Sequence, residues 1–338
     1  MKTYKNLLYK NIDLEKCKEI IIKASKHKKK KKSVQKVLNN LDYYASDLYQ
    51  MILTDNYTFK KGQTFTIHEY GKDRKIESSA FFPNQCIDYL FLECGMKDII
   101  LRKINYESFG NCPNKGIHKG VKFIHKQLKN SKWRYFMKFD IKKYYENIDL
   151  YILYKQIKRL IKDKKFLRLT RAILGRYTKG LPIGSIVSQY LALFYLSDFI
   201  SEIKAISKNY HAKLVCNYVD DFLILGTNKR ELIKLLCYIK NKLKDLNIKT
   251  NHKTIIYSLK SRKISMLGYR FIGKIIMLRK TILKNLYKIK DKTKYKGWLM
   301  WTNCNKLKEK YLWAKLICHY GIFTKLKKRK EHLLWQMF

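Results

Sequence analysis

Apolar positions along the chain change their spacing several times, and each change marks an element. Over 12–58, Leu14, Ile20 and Ile21, then Val37, Leu38, Leu41, Leu48 and Ile52, recur at helical spacing, which predicts an α-helical start. The stretch 63–69 (QTFTIHE) alternates apolar and polar residues as a strand does, and 84–106 returns to helical spacing. Alternation reappears at 133–140 (WRYFMKFD), followed by a helix over 149–165 with Asp149 as its candidate cap. Residues 187–206 predict a largely apolar helix. Leu214–Val219 and Phe222–Leu225 predict a hairpin around two acids, and 265–278 predicts two more strands. A basic helical segment over 280–338 completes the pattern. The sum is an α+β fold, one antiparallel sheet with helices on one side, framed by helical ends.

Composition adds a partner class. The 338 residues are 46% hydrophobic and 14% aromatic, far too apolar for a disordered basic tail and enough for one large domain or two. Lys and Arg number 74 against 26 Asp and Glu, a formal charge of +48 that repels itself unless a polyanion neutralises it. Nucleic acid is the first expectation and an anionic membrane surface the second. Only 12 of the cations are Arg, so part of the surplus reflects general Lys usage. The run Lys26–Lys32 (KHKKKKK) reads as an exposed helix end or as a phosphate contact.

Other classes are disfavoured. The eight cysteines form no C-x-x-C and share no zinc-finger spacing with His, so reduced thiols of a cytoplasmic protein are expected. Met1–Leu14 is charged throughout and lacks the apolar core of a signal peptide. Gly180–Ser197 is uncharged, yet Gly180, Pro182, Gly184, Gln189 and three serines suit a loop leading into a buried helix better than a membrane span.

Chemistry concentrates at Cys216–Gly226 (CNYVDDFLILG), where Asp220 and Asp221 sit side by side in an apolar run. Burying an ionised carboxylate without a partner costs several kcal/mol, and two neighbours also repel each other. The run offers no Arg or Lys to offset them; a divalent cation would. Asp140 ends the strand WRYFMKF and can project from the same sheet edge. Together the three acids would hold two Mg²⁺ ions for phosphoryl transfer, whereas each piece alone reads as a polar turn or a helix cap.

Tyr218-Val219-Asp220-Asp221 resembles the Y-x-D-D box of reverse transcriptases, and further blocks follow in the family's order. FDIKKYYENID (139–149) resembles the first catalytic block and GLPIGSIVSQ (180–189) the template and nucleotide block. LNIKTNHKT (246–254) resembles the lysine block near the incoming phosphates, and MLGYRF (266–271) the primer-grip hairpin. GKDRKI (71–76) and SFGNCPNKGIHKG (108–120) look like fingers blocks of bacterial enzymes. The resemblance covers about residues 60–275 and implies a right-hand polymerase fold. Its parts would be an N-terminal helical extension (1–60), interleaved fingers and palm (61–275) and a basic helical thumb (276–338).

The resemblance also implies roles. Asp140, Asp220 and Asp221, with Ile141, would bind Mg²⁺ or Mn²⁺. Tyr145 would lie under the sugar and exclude a 2′-hydroxyl; its rival reading is a core tyrosine. Lys72 and Arg74 would grip the triphosphate, against a solvated turn. Lys253 would assist the pyrophosphate leaving group, with Lys249 competing for that role. Gly184 would admit the template or nucleotide closely and Gln189 would contact it; Ile183, Ser188, Lys115 and His118 would contact nucleic acid. Gly268 and Tyr269 would sit at the primer terminus, or form an ordinary hairpin turn. Thumb rings such as Tyr287, Tyr295, Trp298, Trp301, Tyr311 and Trp313 read mainly as core.

Within the family, Ile183-Gly184-x-x-x-Ser188-Gln189 departs from the Q-G-x-x-x-S-P form of group II intron and retron enzymes. It resembles the diversity-generating retroelement enzymes and related defence-associated reverse transcriptases of bacteria and phages. GWLMWTN (297–303) looks like the thumb of that group, and no length is expected for a maturase, endonuclease or ribonuclease H domain. The implied function is RNA-directed DNA polymerisation, copying RNA into cDNA for a diversity-generating retroelement. The alternatives are a phage-defence enzyme that copies a dedicated non-coding RNA or works without template, and a catalytically silent RNA-binding protein. Implied partners are the RNA template, the cDNA/RNA hybrid and dNTPs, with a structured non-coding RNA and a small accessory protein as further candidates and no membrane.

Overall fold

The computed structural model describes residues 3–8, 12–69, 72–288 and 296–308. The chain begins with helices α1 (Leu14–Ser25), α2 (Lys32–Asn39) and α3 (Leu41–Thr54), whose apolar stripes are buried as their spacing requires. A hairpin follows, β1 (Gln63–Glu69) against β2 (Lys72–Ser78), in register from Gln63↔Ser78 to Glu69↔Lys72. The strand β2 is illegible in sequence because KDRKIES holds a single apolar residue, Ile76, and one position shows no period. Its partner β1 does alternate, although Phe65 and Ile67 remain 46% and 40% exposed.

Helices α4 (Cys86–Phe91), α5 (Lys97–Lys103) and α6 (Ile117–Leu128) lead to strand β3 (Tyr135–Asp140). The short turn α7 (Tyr144–Asn147) and helix α8 (Leu150–Leu160) come next; Asp149 caps α8, accepting from the N–H groups of Tyr151 and Ile152 at 2.9 and 3.0 Å. The helix expected over 149–165 breaks after Leu160, because Asp163 caps a separate helix α9 (Lys164–Leu174). Loop 180–185 then enters α10 (Ile186–Tyr195), which passes through Leu196 into α11 (Ser197–Ile206). The remainder comprises β4 (Ala212–Tyr218), β5 (Asp221–Gly226), α12 (Lys229–Lys244), β6 (Ile255–Ser258), β7 (Ile264–Met266), β8 (Tyr269–Ile272), β9 (Ile275–Leu278), α13 (Lys280–Lys288), α14 (Lys296–Met300) and α15 (Asn305–Lys308).

The expectation of one sheet with helices on one side is corrected. Among the described residues there are three antiparallel sheets, β1-β2, β4-β5-β3-β6 and β7-β8-β9. The four-stranded sheet is covered on both faces. Phe139, Phe222 and Ile224 point into a core shared with helices α8 to α12, while Phe136, Leu223 and Leu225 point into a second core with α6, α13 and the three-stranded sheet. Phe222-Leu223-Ile224-Leu225 is apolar at every position, so both of its faces must be buried. No described helix is long and apolar enough to cross a membrane. Seven described cysteines are unpaired, four of them buried. Cys318, Tyr311, Trp313, Tyr295 and most of the expected basic helical end lie outside the described residues.

Candidate active site

Strands β4 and β5 are joined by only Val219 and Asp220, with Tyr218 paired to Asp221 across the hairpin. Val219 stands at φ +60, a left-handed conformation that a β-branched residue adopts only under constraint. The constraint is visible. Buried Asn217 donates its side-chain amide to the Val219 carbonyl at 3.0 Å. Its backbone exchanges hydrogen bonds with segment 107–109, Asn217 N–H to Glu107 O and Phe109 N–H to Asn217 O, both at 2.9 Å. Gly110 lies on the tip itself, where a Cβ would stand 2.7 Å from Val219 Cγ2 and 2.8 Å from its nitrogen. A side chain at 110 would displace the hairpin.

The neighbouring strand brings the third acid. Asp140 is the register partner of Asp221, so both side chains leave the same face of the sheet. Ile141 N–H donates to the Asp220 carbonyl at 3.1 Å, tying the end of β3 to the hairpin tip. Asn251 holds Asp140 twice, backbone N–H to its carbonyl at 2.7 Å and side-chain amide to Oδ2 at 3.3 Å. Sequence reasoning missed Asn251, although it lies in the quoted lysine block. The side chain of Ile141 is buried, leaving only its backbone carbonyl as a donor toward a metal.

The electrostatics mark these acids as a set that resists its own charge. Burial pushes Asp220 up to about 6; the neighbouring charges of Asp221 and Asp140 add to that, while a backbone hydrogen bond and Arg74 oppose it. Asp221 is raised by burial as well, and Lys138 draws it back. Lys138 precedes Asp140 by two residues and so shares its face; its Nζ lies 2.9 Å from Asp221 Oδ1. With Asp221 turned to Lys138 and Asp140 to Asn251, no three His, Cys, Asp or Glu side chains among the described residues form a ready-made metal cluster. The donor chemistry nonetheless fits a hard divalent cation: three carboxylates side by side, one of them costly to ionise without a counter-charge.

Two of the expected nucleotide-side residues, Tyr145 and Arg74, lie near this tip. Tyr145 packs edge-on against Tyr144 at 5.7 Å between ring centroids, and its hydroxyl accepts from Asn111 Nδ2 at 3.4 Å. Burial, then the charge of Asp220, raises that phenol to about 12. Exposed Arg74 on β2 stands near enough for its charge to act on Asp220. Gly184 (φ +117) presses on β2, where a Cβ would meet Glu77 O at 2.8 Å. Gln189 and Lys253 are exposed and Ile183 is half-buried. Lys72 pairs with Glu69 at the hairpin end, and its side chain lies outside the described set.

One expectation is corrected, and three further expected residues are engaged within the fold itself. Ser188 is fully buried inside α10 and cannot touch a nucleic acid. Lys115 spends its ammonium on the carbonyls of Asn105 and Tyr106 at 2.8 and 3.1 Å, bracing a loop. His118 sits between Trp298 (6.0 Å, edge-on) and Trp301 (6.2 Å, stacked), where burial lowers its pKa. Tyr269 is fully buried, stacked on Trp298 at 5.2 Å, with its hydroxyl donating to Trp298 O at 3.0 Å. Its ring belongs to the core, and only the adjoining backbone turn can face a primer. Gly268 (φ +81) lies under the same indole, at 2.4 Å from a Cβ to Trp298 Cζ3. Replacing Gly268 with Ala is therefore expected to cost roughly 2–3 kcal/mol, from overpacking plus a strained φ. Thermal unfolding checks it; an unchanged midpoint would mean that α14 is not seated on this turn.

No curated protein matches the sequence. Among solved structures, apo telomerase from Candida tropicalis truncated from its C-terminal domain is similar at 17% identity and TM-score 0.49, over 65% of this chain and 55% of that one. Telomerase from Candida albicans in complex with a TWJ fragment of telomeric RNA gives 13% identity and TM-score 0.49, over 70% of this chain and 51% of that one. The chain spans about half the length of these structures. The family match is broader in its consequence. Residues 87–271, more than half of the 338 and the span that carries all three acids, fit the reverse transcriptase (RNA-dependent DNA polymerase) family, and the chain belongs to it.

Proposed function

We propose that this protein is an RNA-directed DNA polymerase that joins a dNMP to a primer 3′-hydroxyl and releases pyrophosphate. The single observation that carries the reading is the register of Asp140 with Asp221 beside the strained Val219-Asp220 tip. Asp140, Asp220 and Asp221 would hold two Mg²⁺ (or Mn²⁺) ions, with the Ile141 carbonyl beside them. Bound there, such ions would supply Lewis-acid activation of the attacking hydroxyl and offset charge on the departing pyrophosphate. The protein's own residues do the rest. Lys138 draws the raised Asp221 carboxyl back toward its ionised form. Arg74, Lys72 and Lys253 take the triphosphate, Gly184 and Gln189 the template and nucleotide, and Tyr145 the sugar face. In this reading α1–α3 extend the fingers built on β1-β2, the four-stranded sheet is the palm, and the segments from 276 onward are the thumb.

The finer role follows the Ile183-Gly184-x-x-x-Ser188-Gln189 block, which favours copying of RNA for a diversity-generating retroelement over the defence role. A primer-extension assay on an RNA template tests the activity. Extension is expected with Mg²⁺, lost in chelator, restored by Mg²⁺ or Mn²⁺, and steeply weakened by salt as lysines release counterions. RNA binding without any metal-dependent extension would leave only the silent binder. Sequencing the nucleic acid that copurifies tests the role: a template repeat supports diversification, and a dedicated structured RNA overturns it in favour of defence.

A further inference from the structure

A buried ion pair lies directly behind loop 180–185. Asp88 on α4 is 1% exposed and pairs with Arg176, which follows α9. Arg176 has further partners: the Nη2 that meets Asp88 also donates to the Tyr177 hydroxyl at 2.9 Å, Nε donates to Ile173 O at 3.1 Å, and the guanidinium lies 4.5 Å from the Phe59 ring centroid. The second carboxylate oxygen of Asp88 accepts from Ser185 Oγ at 3.1 Å. Ser185 occupies the N-cap of α10, yet its side chain makes no cap hydrogen bond. Serine is favoured at that position because its hydroxyl satisfies a helix N–H. Here the hydroxyl is spent on Asp88 instead.

The same loop is fastened at two more places. At its start Leu181 N–H donates to the Tyr145 carbonyl at 2.8 Å, with Gly180 (φ +59) so close that a Cβ would stand 2.3 Å from that oxygen. In its middle the Ile183 carbonyl accepts from Glu77 N–H on β2 at 3.1 Å. Six residues thus connect the backbone of Tyr145, the hairpin that carries Arg74, and the buried pair. Two of them are glycines with positive φ, so the loop has little stiffness of its own. A buried ion pair contributes little net stability compared with apolar packing, whereas losing one partner of it is costly, so this pair holds its geometry while both partners are present.

We propose that Asp88, Arg176 and Ser185 form a buried strut that positions loop 180–185 between Tyr145 and the β1-β2 hairpin, and thereby sets the affinity for the incoming dNTP. The inference rests on the polymerase reading for its nucleotide and on the geometry alone for the strut. The three are positioning residues, since their side chains are buried behind the loop and spent on one another.

Ser185→Ala is the clean probe, because it leaves the Asp88–Arg176 pair in place and costs α10 no cap bond; Ser185→Thr restores the hydroxyl. Two readouts are needed. Hydrogen exchange of the Leu181 and Glu77 amides should rise about three- to ten-fold in Ser185→Ala, the scale of one lost hydrogen bond, while α4 amides stay unchanged. In primer extension, KM for dNTP should rise by a similar factor with kcat near the parent value, and Ser185→Thr should recover both. Parental exchange at the two amides overturns the strut. Faster exchange with an unchanged KM, or kcat falling together with thermal stability, overturns its role in nucleotide binding. If the parent protein extends no primer, the polymerase reading fails while the exchange result still judges the strut.

Discussion

Asp220→Asn is expected to cut metal-dependent dNMP incorporation by at least about 10³-fold, the scale on which a positioned charge acts at a phosphoryl or acyl transition state. The same change should leave the protein more resistant to heat in chelator, not less. Asp220 is partly buried beside Asp140 and Asp221, and burial together with that like charge pushes its pKa up to about 6. Removing the charge removes the repulsion, while the backbone contact from Ile141 N–H to the Asp220 carbonyl at 3.1 Å is untouched. Since one kcal/mol moves the midpoint by about 2–4 °C in a chain of moderate size, a rise of a few degrees is expected. Added Mg²⁺ should stabilise the parent and leave the variant unmoved. Calorimetry and primer extension on the two proteins decide the matter: equal incorporation would remove these acids from the chemistry, and a lower midpoint would contradict the charge argument.

The second large effect is expected at Tyr145. Its ring stands beside Asp220, braced on Tyr144 and reached by Asn111 at 3.4 Å. If the ring closes the space a 2′-hydroxyl would fill, Tyr145→Ala should lower the preference for dNTP over NTP by about 10²-fold, the range a pocket achieves by shape alone. Tyr145→Phe should behave as the parent, because the hydrogen bond from Asn111 to the hydroxyl is long and therefore weak. Competing incorporation of dNTP and NTP on one primer measures the ratio directly. A ratio unchanged in the alanine variant would return Tyr145 to the core residues. A collapse in the phenylalanine variant would instead assign the selection to the hydroxyl and Asn111.

These two expectations differ in how far they were legible without coordinates. The adjacent acids 220–221 inside an apolar run, and Asp140 closing an alternating strand, are written in the local pattern, since buried like charges need a counter-charge wherever they fold. The helices α1–α3 and α8, with its Asp149 cap, were legible for the same reason: their periodicity and capping chemistry are local. The β2 strand was not, because KDRKIES has one apolar residue and so no alternation to read.

What the sequence determined by itself is the helical and strand periodicity, the acid pair with its distant third member, and the order of blocks that places the chain among reverse transcriptases. Tertiary structure alone decided who serves those acids. Lys138 meets Asp221 only because β3 and β5 pair in that register, and Asn251 meets Asp140 across 111 residues of chain. It also placed Ser188 and the Tyr269 ring inside the fold, since burial depends on what packs above a residue and not on its neighbours in the chain. Spacing reports which side of an element is apolar; only the packed fold reports what lies against it.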